Sequence, residues 1–196
     1  MLNYLKKKGN LVHKTAVINW RNLSIGKNNI IGPYVVIGNV PQHPRLKCNG
    51  KIIIGNNNFF NEYSNVHLPT KIRKKTIIGN NNYFMESVTI DHDCVIEDDV
   101  ILSSKVVLGG NVHIMKGSQL GINASVHQNQ VIGSFSMIGM HSFITKKLNL
   151  TPGYIYYGKP AKKKNKNLIG LKRKNITSKI LTIETNRYKK IKSSNK

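Results

Sequence analysis

His92 and Asp93 stand side by side in the run Ile90-Asp-His-Asp-Cys94. A carboxylate beside an imidazole can fix the ring tautomer and stabilise the imidazolium that forms when the ring takes a proton, which is the arrangement a general base needs. Further along come the diglycine Gly109-Gly110 and the pair His127-Gln128. A glycine has no Cβ, so a substrate carbonyl could approach the Gly110 N–H, as an oxyanion donor requires. Taken singly, an outward histidine is usually a solvated surface residue. His13, His43, His67, His113 and His141 keep that reading, although His67 and His141 could line the same cleft. No Gly-x-Ser-x-Gly nucleophile and no Walker loop is present. Cys48 and Cys94 are single cysteines without a C-x-x-C partner, so they read as packing residues, with no disulfide framework and no metal site expected.

The elements that would bring these residues together follow from a period of six. From Ile54 in steps of six the chain reads Ile54, Phe60, Val66, Ile72, Ile78, Phe84, Ile90, Ile96, Leu102, Leu108, Ile114, Leu120, Val126, Ile132, Ile138 and Ile144, all apolar and with no insertion. With 39% apolar residues overall, chance agreement is on the order of one in a million. The residue four places on is usually small or β-branched, as at Ser64, Thr76, Val88, Cys94, Val100 and Ala124. An α-helix cannot host the pattern, because six residues make about 1.67 turns and the apolar positions would spiral round the cylinder. Short parallel strands joined by tight corners can: three hexads make one triangular coil with an inward residue on each face.

The expected fold is therefore an all-β solenoid, a left-handed parallel β-helix of hexapeptide repeats with a short C-terminal helical tail. Ile25, Ile31 and Ile37 supply earlier coils, and the Pro- and Gly-containing stretch at about 39–51 reads as a protruding loop. The division expected is 1–150 for the β-helix and 151–196 for a basic extension. The period reads as lost after Ile144. Ile180, Ile183, Arg187 and Ile191 fall at helical spacing and predict a short amphipathic helix over about 178–191. With eighteen residues per coil, His92, Gly110 and Gln128 stack in one column, and Asp91, Gly109 and His127 in the next. His92 and His127 then share a face, two coils or roughly 10 Å apart.

A formal charge of +23 invites a polyanionic partner. Lysines crowd the segment from Lys146 onward, whereas five of the eight acidic residues lie between Asp91 and Asp99. A joint excess of Lys, Asn and Ile can arise from coding bias, so nucleic acid is not expected as a partner; what remains is a basic surface suited to nucleotide phosphates or an acidic carrier protein. The N-terminus has Lys6, Lys7 and Lys8 but no apolar stretch behind them, and no run of about 18 apolar residues occurs. A cytoplasmic protein with no membrane span is expected.

Glu86-Ser-Val-Thr-Ile-Asp-His-Asp-Cys94, Leu108-Gly-Gly-Asn111 and Ser125-Val-His-Gln128 together resemble the core of the UDP-N-acetylglucosamine acyltransferases that begin lipid A synthesis. Asn167-Leu-Ile-Gly-Leu-Lys-Arg-Lys174 resembles that family's C-terminal signature. The resemblance implies a homotrimer with active sites in clefts between subunits, an acyl carrier protein as donor and a sugar-nucleotide as acceptor. It makes His92 the general base, Asp93 its orienting carboxylate, Gly110 the oxyanion donor and His127 a cleft histidine with Gln128 beside it. It places Arg173 and Lys174 near the nucleotide phosphates, Asn167, Gln42 and Lys47 on the acceptor side, and Met140 at the floor of the acyl channel. Departures are Asn111 and Thr89 in place of histidines, Ile169 in place of an acidic residue, and Lys174 in place of an arginine.

The expected activity is transfer of an acyl group from a thioester, on acyl carrier protein or CoA, to a hydroxyl or amine of a sugar or sugar-nucleotide, in lipid A or surface-glycan synthesis. No bound cofactor is expected. The turn Gly158-Lys-Pro-Ala-Lys162 resembles that of CoA-using members, so an acetyl-CoA-dependent sugar acetyltransferase is the close alternative. A zinc hydratase on the same fold would need three converging histidines; the last alternative is a non-catalytic scaffold that binds nucleic acid or protein through its basic tail.

Overall fold

The structure is a computed structural model that describes residues 3–42, 48, 50–70, 75–146 and 148–194. Short parallel strands stack into three sheets, one per side of a triangular prism. Sheet I has ten strands, sheet II seven and sheet III six. Inward residues pair directly with their counterparts in the next coil: Phe84 with Leu102, Ile90 with Leu108, Ile96 with Ile114. Fifteen of the sixteen hexad positions are at most 4% exposed; Ile72, the sixteenth, lies outside the described residues. Each such aliphatic side chain removed from water contributes roughly 1.5–3 kcal/mol, so the column of inward residues is the core.

A count of six conceals one insertion. Ile54 pairs with Ile78, Phe60 with Phe84 and Val66 with Ile90, a step of 24 residues where later coils step by 18. The six extra residues fall between His67 and Lys75, and because their number equals the period the apolar phase carries straight through. The earlier excursion gives a step of 29, from Ile25 to Ile54. Both interruptions fall between a strand of sheet II and the next strand of sheet III.

At the far end the inward column also outlasts the reading of the sequence. Leu150 bridges to Ile132, and Tyr156, fully buried, pairs with Ile138. A hairpin of Tyr154–Gly158 and Ala161–Lys166 then closes sheet I. Two helices follow, α1 (Leu168–Arg173) and α2 (Ser178–Ser194). The face of α2 that packs on the solenoid includes Arg187 and Ile191 of the residues its spacing suggested but is centred on Glu184 and Tyr188, which are buried, while Ile183 is 55% exposed. Tyr188 packs with Met115 and Val131, and Ile191 joins them. Charge pairing decides this docking. Glu184 binds Lys116 Nζ at 2.9 Å and Ser134 Oγ at 2.6 Å, and Arg187 bridges Glu184 and Glu97, which also meets His113 Nε2 at 2.6 Å.

Asparagine has structural work here beyond any coding bias. Many corners hold one residue in the left-handed region, among them Asn57, Asn81, Asp93, Asp99, Asn111, Asn123 and Asn129, a conformation that Asn and Asp tolerate best among residues with a side chain. A second set, Asn10, Asn29, Asn58 and Asn82, is buried and links successive coils through side-chain amides. Where Val100 ends that ladder, Asn82 Nδ2 is left without a partner.

Candidate active site

The corner between sheets II and III carries the chemistry. His92 follows the sheet II strand Thr89–Ile90, and the next residue, Asp93, takes the corner's left-handed conformation with φ 61°. That turn buries the carboxylate, whose side chain is 4% exposed, beneath an imidazole that is 20% exposed. His92 Nδ1 lies 2.8 Å from Asp93 Oδ2. A carboxylate can only accept, so Nδ1 carries the proton, and in the neutral ring Nε2 keeps its lone pair. The Asp93 carboxylate also accepts from Thr70: the backbone N–H reaches Oδ1 at 3.1 Å and the hydroxyl reaches Oδ2 at 2.7 Å. Thr76 Oγ1 accepts the Asp93 N–H at 3.2 Å and donates to the His67 carbonyl at 3.1 Å.

Asp91 forms a second arm. Its Oδ1 accepts from His67 Nδ1 at 3.0 Å and from the His92 backbone N–H at 2.8 Å, and its Oδ2 stands 4.0 Å from His92 Nε2. Burial pushes the Asp91 carboxyl up, but the His67 and His92 hydrogen bonds and the two imidazoles outweigh it and hold the group below the usual carboxylate range. His67 is therefore a buried partner, 3% exposed, at the corner it was expected to line if it was not a solvated surface residue. His141 sits at a different corner, between sheets I and II, hydrogen-bonded to Asn123; within one chain it does not line the His92 corner. Cys94 is a packing residue: burial pushes its thiol up to about 12.

Gly110 does two things. A Cβ built on it would collide with the His92 ring, so the missing side chain is what lets the imidazole lie over the next coil. The flanking N–H groups are committed, Gly109 to Val126 O at 2.9 Å and Asn111 to His92 O at 2.8 Å, while the Gly110 N–H donates to no described residue. An imidazole and an open backbone donor thus meet at one place. His127 and Gln128 are exposed at the same corner two coils on, with His127 Nδ1 bonded to the Gln128 carbonyl at 3.0 Å. Gln42 is exposed in the first excursion at this corner; Lys47 lies outside the described residues.

The remaining candidates lie elsewhere on the chain. Met140, 66% exposed, stands at the corner between sheets I and II. Arg173 and Lys174 border a cavity of about 530 Å³ over sheet I, with Gln119, Met137 and Ile155 on its floor. Asn167 also lines it, but its side chain is occupied in capping α1, accepting from Gly170 N at 3.2 Å and donating to Phe135 O at 3.1 Å. A single chain does not bring these residues to His92. Among the described residues no three His, Cys, Asp or Glu groups converge as a metal would require, and His113, on sheet III, is paired with Glu97.

Fold and site define a class: a left-handed β-helix of hexapeptide repeats with a histidine–carboxylate pair at one corner. The family model "Bacterial transferase hexapeptide (six repeats)" matches residues 75–110. Acyl-[acyl-carrier-protein]–UDP-N-acetylglucosamine O-acyltransferases are similar over most of the chain: that of Synechocystis is 33% identical over 159 residues, 81% of this chain and 57% of its own. That of Burkholderia orbicola is 32% identical over 167 residues, 84% and 63% respectively. The chain thus spans about 57–63% of the length of these relatives. The crystal structure of Arabidopsis UDP-N-acetylglucosamine acyltransferase superposes with a TM-score of 0.78 at 29% identity, covering 88% of this chain and 67% of that one. The enzyme of the same name from Bacteroides fragilis gives 0.73 at 28%, with 92% and 70% covered. Over most of its own length this chain is thus similar to UDP-N-acetylglucosamine acyltransferases, and residues 75–110 match the hexapeptide-transferase model.

Proposed function

We propose that the chain transfers an acyl group from a thioester, carried on acyl carrier protein or CoA, to a hydroxyl or amine of a sugar-nucleotide of the UDP-N-acetylglucosamine type, in lipid A or a related surface glycan. The observation that carries this reading is the His92–Asp93 pair lying against the open N–H of Gly110. With Nδ1 held by Asp93, His92 Nε2 removes the acceptor's proton as its oxygen or nitrogen attacks the thioester carbonyl. The Gly110 N–H stabilises the tetrahedral oxyanion. Collapse of that intermediate expels the thiolate, which takes the proton back from the imidazolium. No metal or bound cofactor enters these steps, and the protein works in the cytoplasm, where its donors are made.

A homotrimer completes the site in this reading. Gln42, Lys47, His127 and Gln128 would line the cleft from the His92 side, while Met140, Asn167, Arg173 and Lys174 would face it from a neighbouring copy. Support comes from sheet I, whose outward residues Phe59, Tyr83 and Met137 are 38–40% exposed, with Ile101 and Ile155 half-buried in the same row, interrupted by Gln119; a mostly apolar stripe of this kind suits packing against another copy. The test incubates purified protein with UDP-N-acetylglucosamine and, separately, acyl carrier protein thioesters and acetyl-CoA. Product from one donor class is expected, with a fall of about 10²–10⁴ in His92→Ala. Turnover that survives in a folded His92→Ala protein would sink the mechanism.

A further inference from the structure

The six residues hidden by the period bring Thr70 to the candidate base; by spacing alone it is one more small or β-branched residue four places after an inward one. We propose that Thr70 is a positioning residue that locks the Asp93 carboxylate, and through it the His92 ring, in the orientation proton transfer needs. It rests on the reading of His92 as the base.

The geometry is specific. A carboxylate free to rotate could turn either oxygen, or neither, toward Nδ1. Thr70 holds both: its N–H takes Oδ1 and its hydroxyl takes Oδ2, the same oxygen that faces His92 Nδ1. Thr76 fixes the Asp93 backbone from the other side. The Asp93 side chain is 4% exposed, so water has little access to replace a lost donor, and a buried carboxylate short of one partner reorients toward those that remain. Thr70 itself does not touch the ring. Its effect must therefore appear in the rate of the chemical step and in the state of the Nδ1 proton rather than in substrate affinity.

The experiment compares Thr70→Val, which keeps shape and backbone N–H but lacks the hydroxyl, with Thr70→Ser, which retains it, in the full chain. The first measurement needs no substrate: proton NMR of the imidazole Nδ1–H, assigned by its loss in His92→Gln. A discrete downfield resonance is expected in wild type and Thr70→Ser, broadened or lost in Thr70→Val. In turnover, kcat of Thr70→Val should fall about tenfold with both KM values within about twofold, and Thr70→Ser should recover to within about threefold of wild type. Gel filtration and far-UV circular dichroism confirm folding; should valine fail to fold, Thr70→Cys, of similar size with a weaker donor, is expected to show an intermediate loss. A Thr70→Val protein with the wild-type resonance and kcat overturns the proposal. If the resonance depends on Thr70 as described but no thioester supports turnover, positioning stands and the acyl-transfer reading fails.

Discussion

At the scale of single residues, the site depends on one atom that is absent. Gly110→Ala would place a methyl in the volume of the His92 ring. The ring must swing away from the donor N–H. A fall of at least 10² in kcat is expected, together with about 1–3 kcal/mol of overpacking strain if the coil resists; steady-state kinetics and urea unfolding measure the two separately. Near-wild-type kcat would show that His92 does not need its observed place. Met140 allows a second test. Its 66% exposure means that it does not fill the core, so its bulk is available to shorten a channel supplied by a neighbouring copy. Wild type is expected to prefer donors of at most about ten carbons and Met140→Gly to prefer longer ones, each excluded methylene costing about 0.8 kcal/mol. The same preferred length in both proteins would remove Met140 from the channel.

At the scale of elements, α2 is fastened to sheet III by charge. Burial pushes the Glu97 carboxyl up, but His113 and Arg187 outweigh it and hold it at about 2, against an ordinary 4.5. Glu184 is held low in the same sense, burial being outweighed by Lys116, Ser134 and Arg187. Because the folded-state values lie below the ordinary ones, these groups contribute stability that is fully present above pH 4.5 and is lost as the pH falls toward 2. Hydrogen exchange should therefore show residues 178–194 losing protection across that window while Ile90, Leu108 and Val126 remain protected. Equal protection of α2 at pH 5 and pH 2 would contradict the latch. Helical spacing alone marked Ile180, Ile183, Arg187 and Ile191; it found the helix and, in Arg187 and Ile191, part of its docked face, but missed Glu184 and Tyr188 at the centre of that face. A pairing with Glu97, 90 positions away for Arg187, leaves no local trace.

At the scale of the whole molecule, the candidate residues divide among one corner, the neighbouring corner and the face of sheet I. A chain acting alone leaves Arg173 and Lys174 away from His92, so activity is expected to track assembly. Sedimentation should give a trimer as the active species, and a charge placed on the apolar stripe, as in Tyr83→Glu, should yield monomers that keep the β-helix signal but lose turnover. An active monomer would refute the shared cleft. None of the described helices is long and apolar enough to cross a membrane.

The repeating coil and the alignment of His92, Gly110 and Gln128 were legible in the residues themselves, because a solenoid turns sequence spacing directly into vertical stacking: parallel strands pair in constant register, and eighteen residues make one coil. What spacing could not reveal was anything that depends on where a loop returns. The extra hexad before Lys75 has the same length as the period and leaves no shift in the apolar phase, so the contacts of Thr70 with Asp93 and of His67 with Asp91 depend on a 24-residue step that only the folded path fixes. The buried Glu97–Arg187–Glu184 network was likewise decided by tertiary packing. Hydrogen bonds and ion pairs act over about 3 Å in space whatever their separation along the chain, and only the folded path brings such partners within that reach.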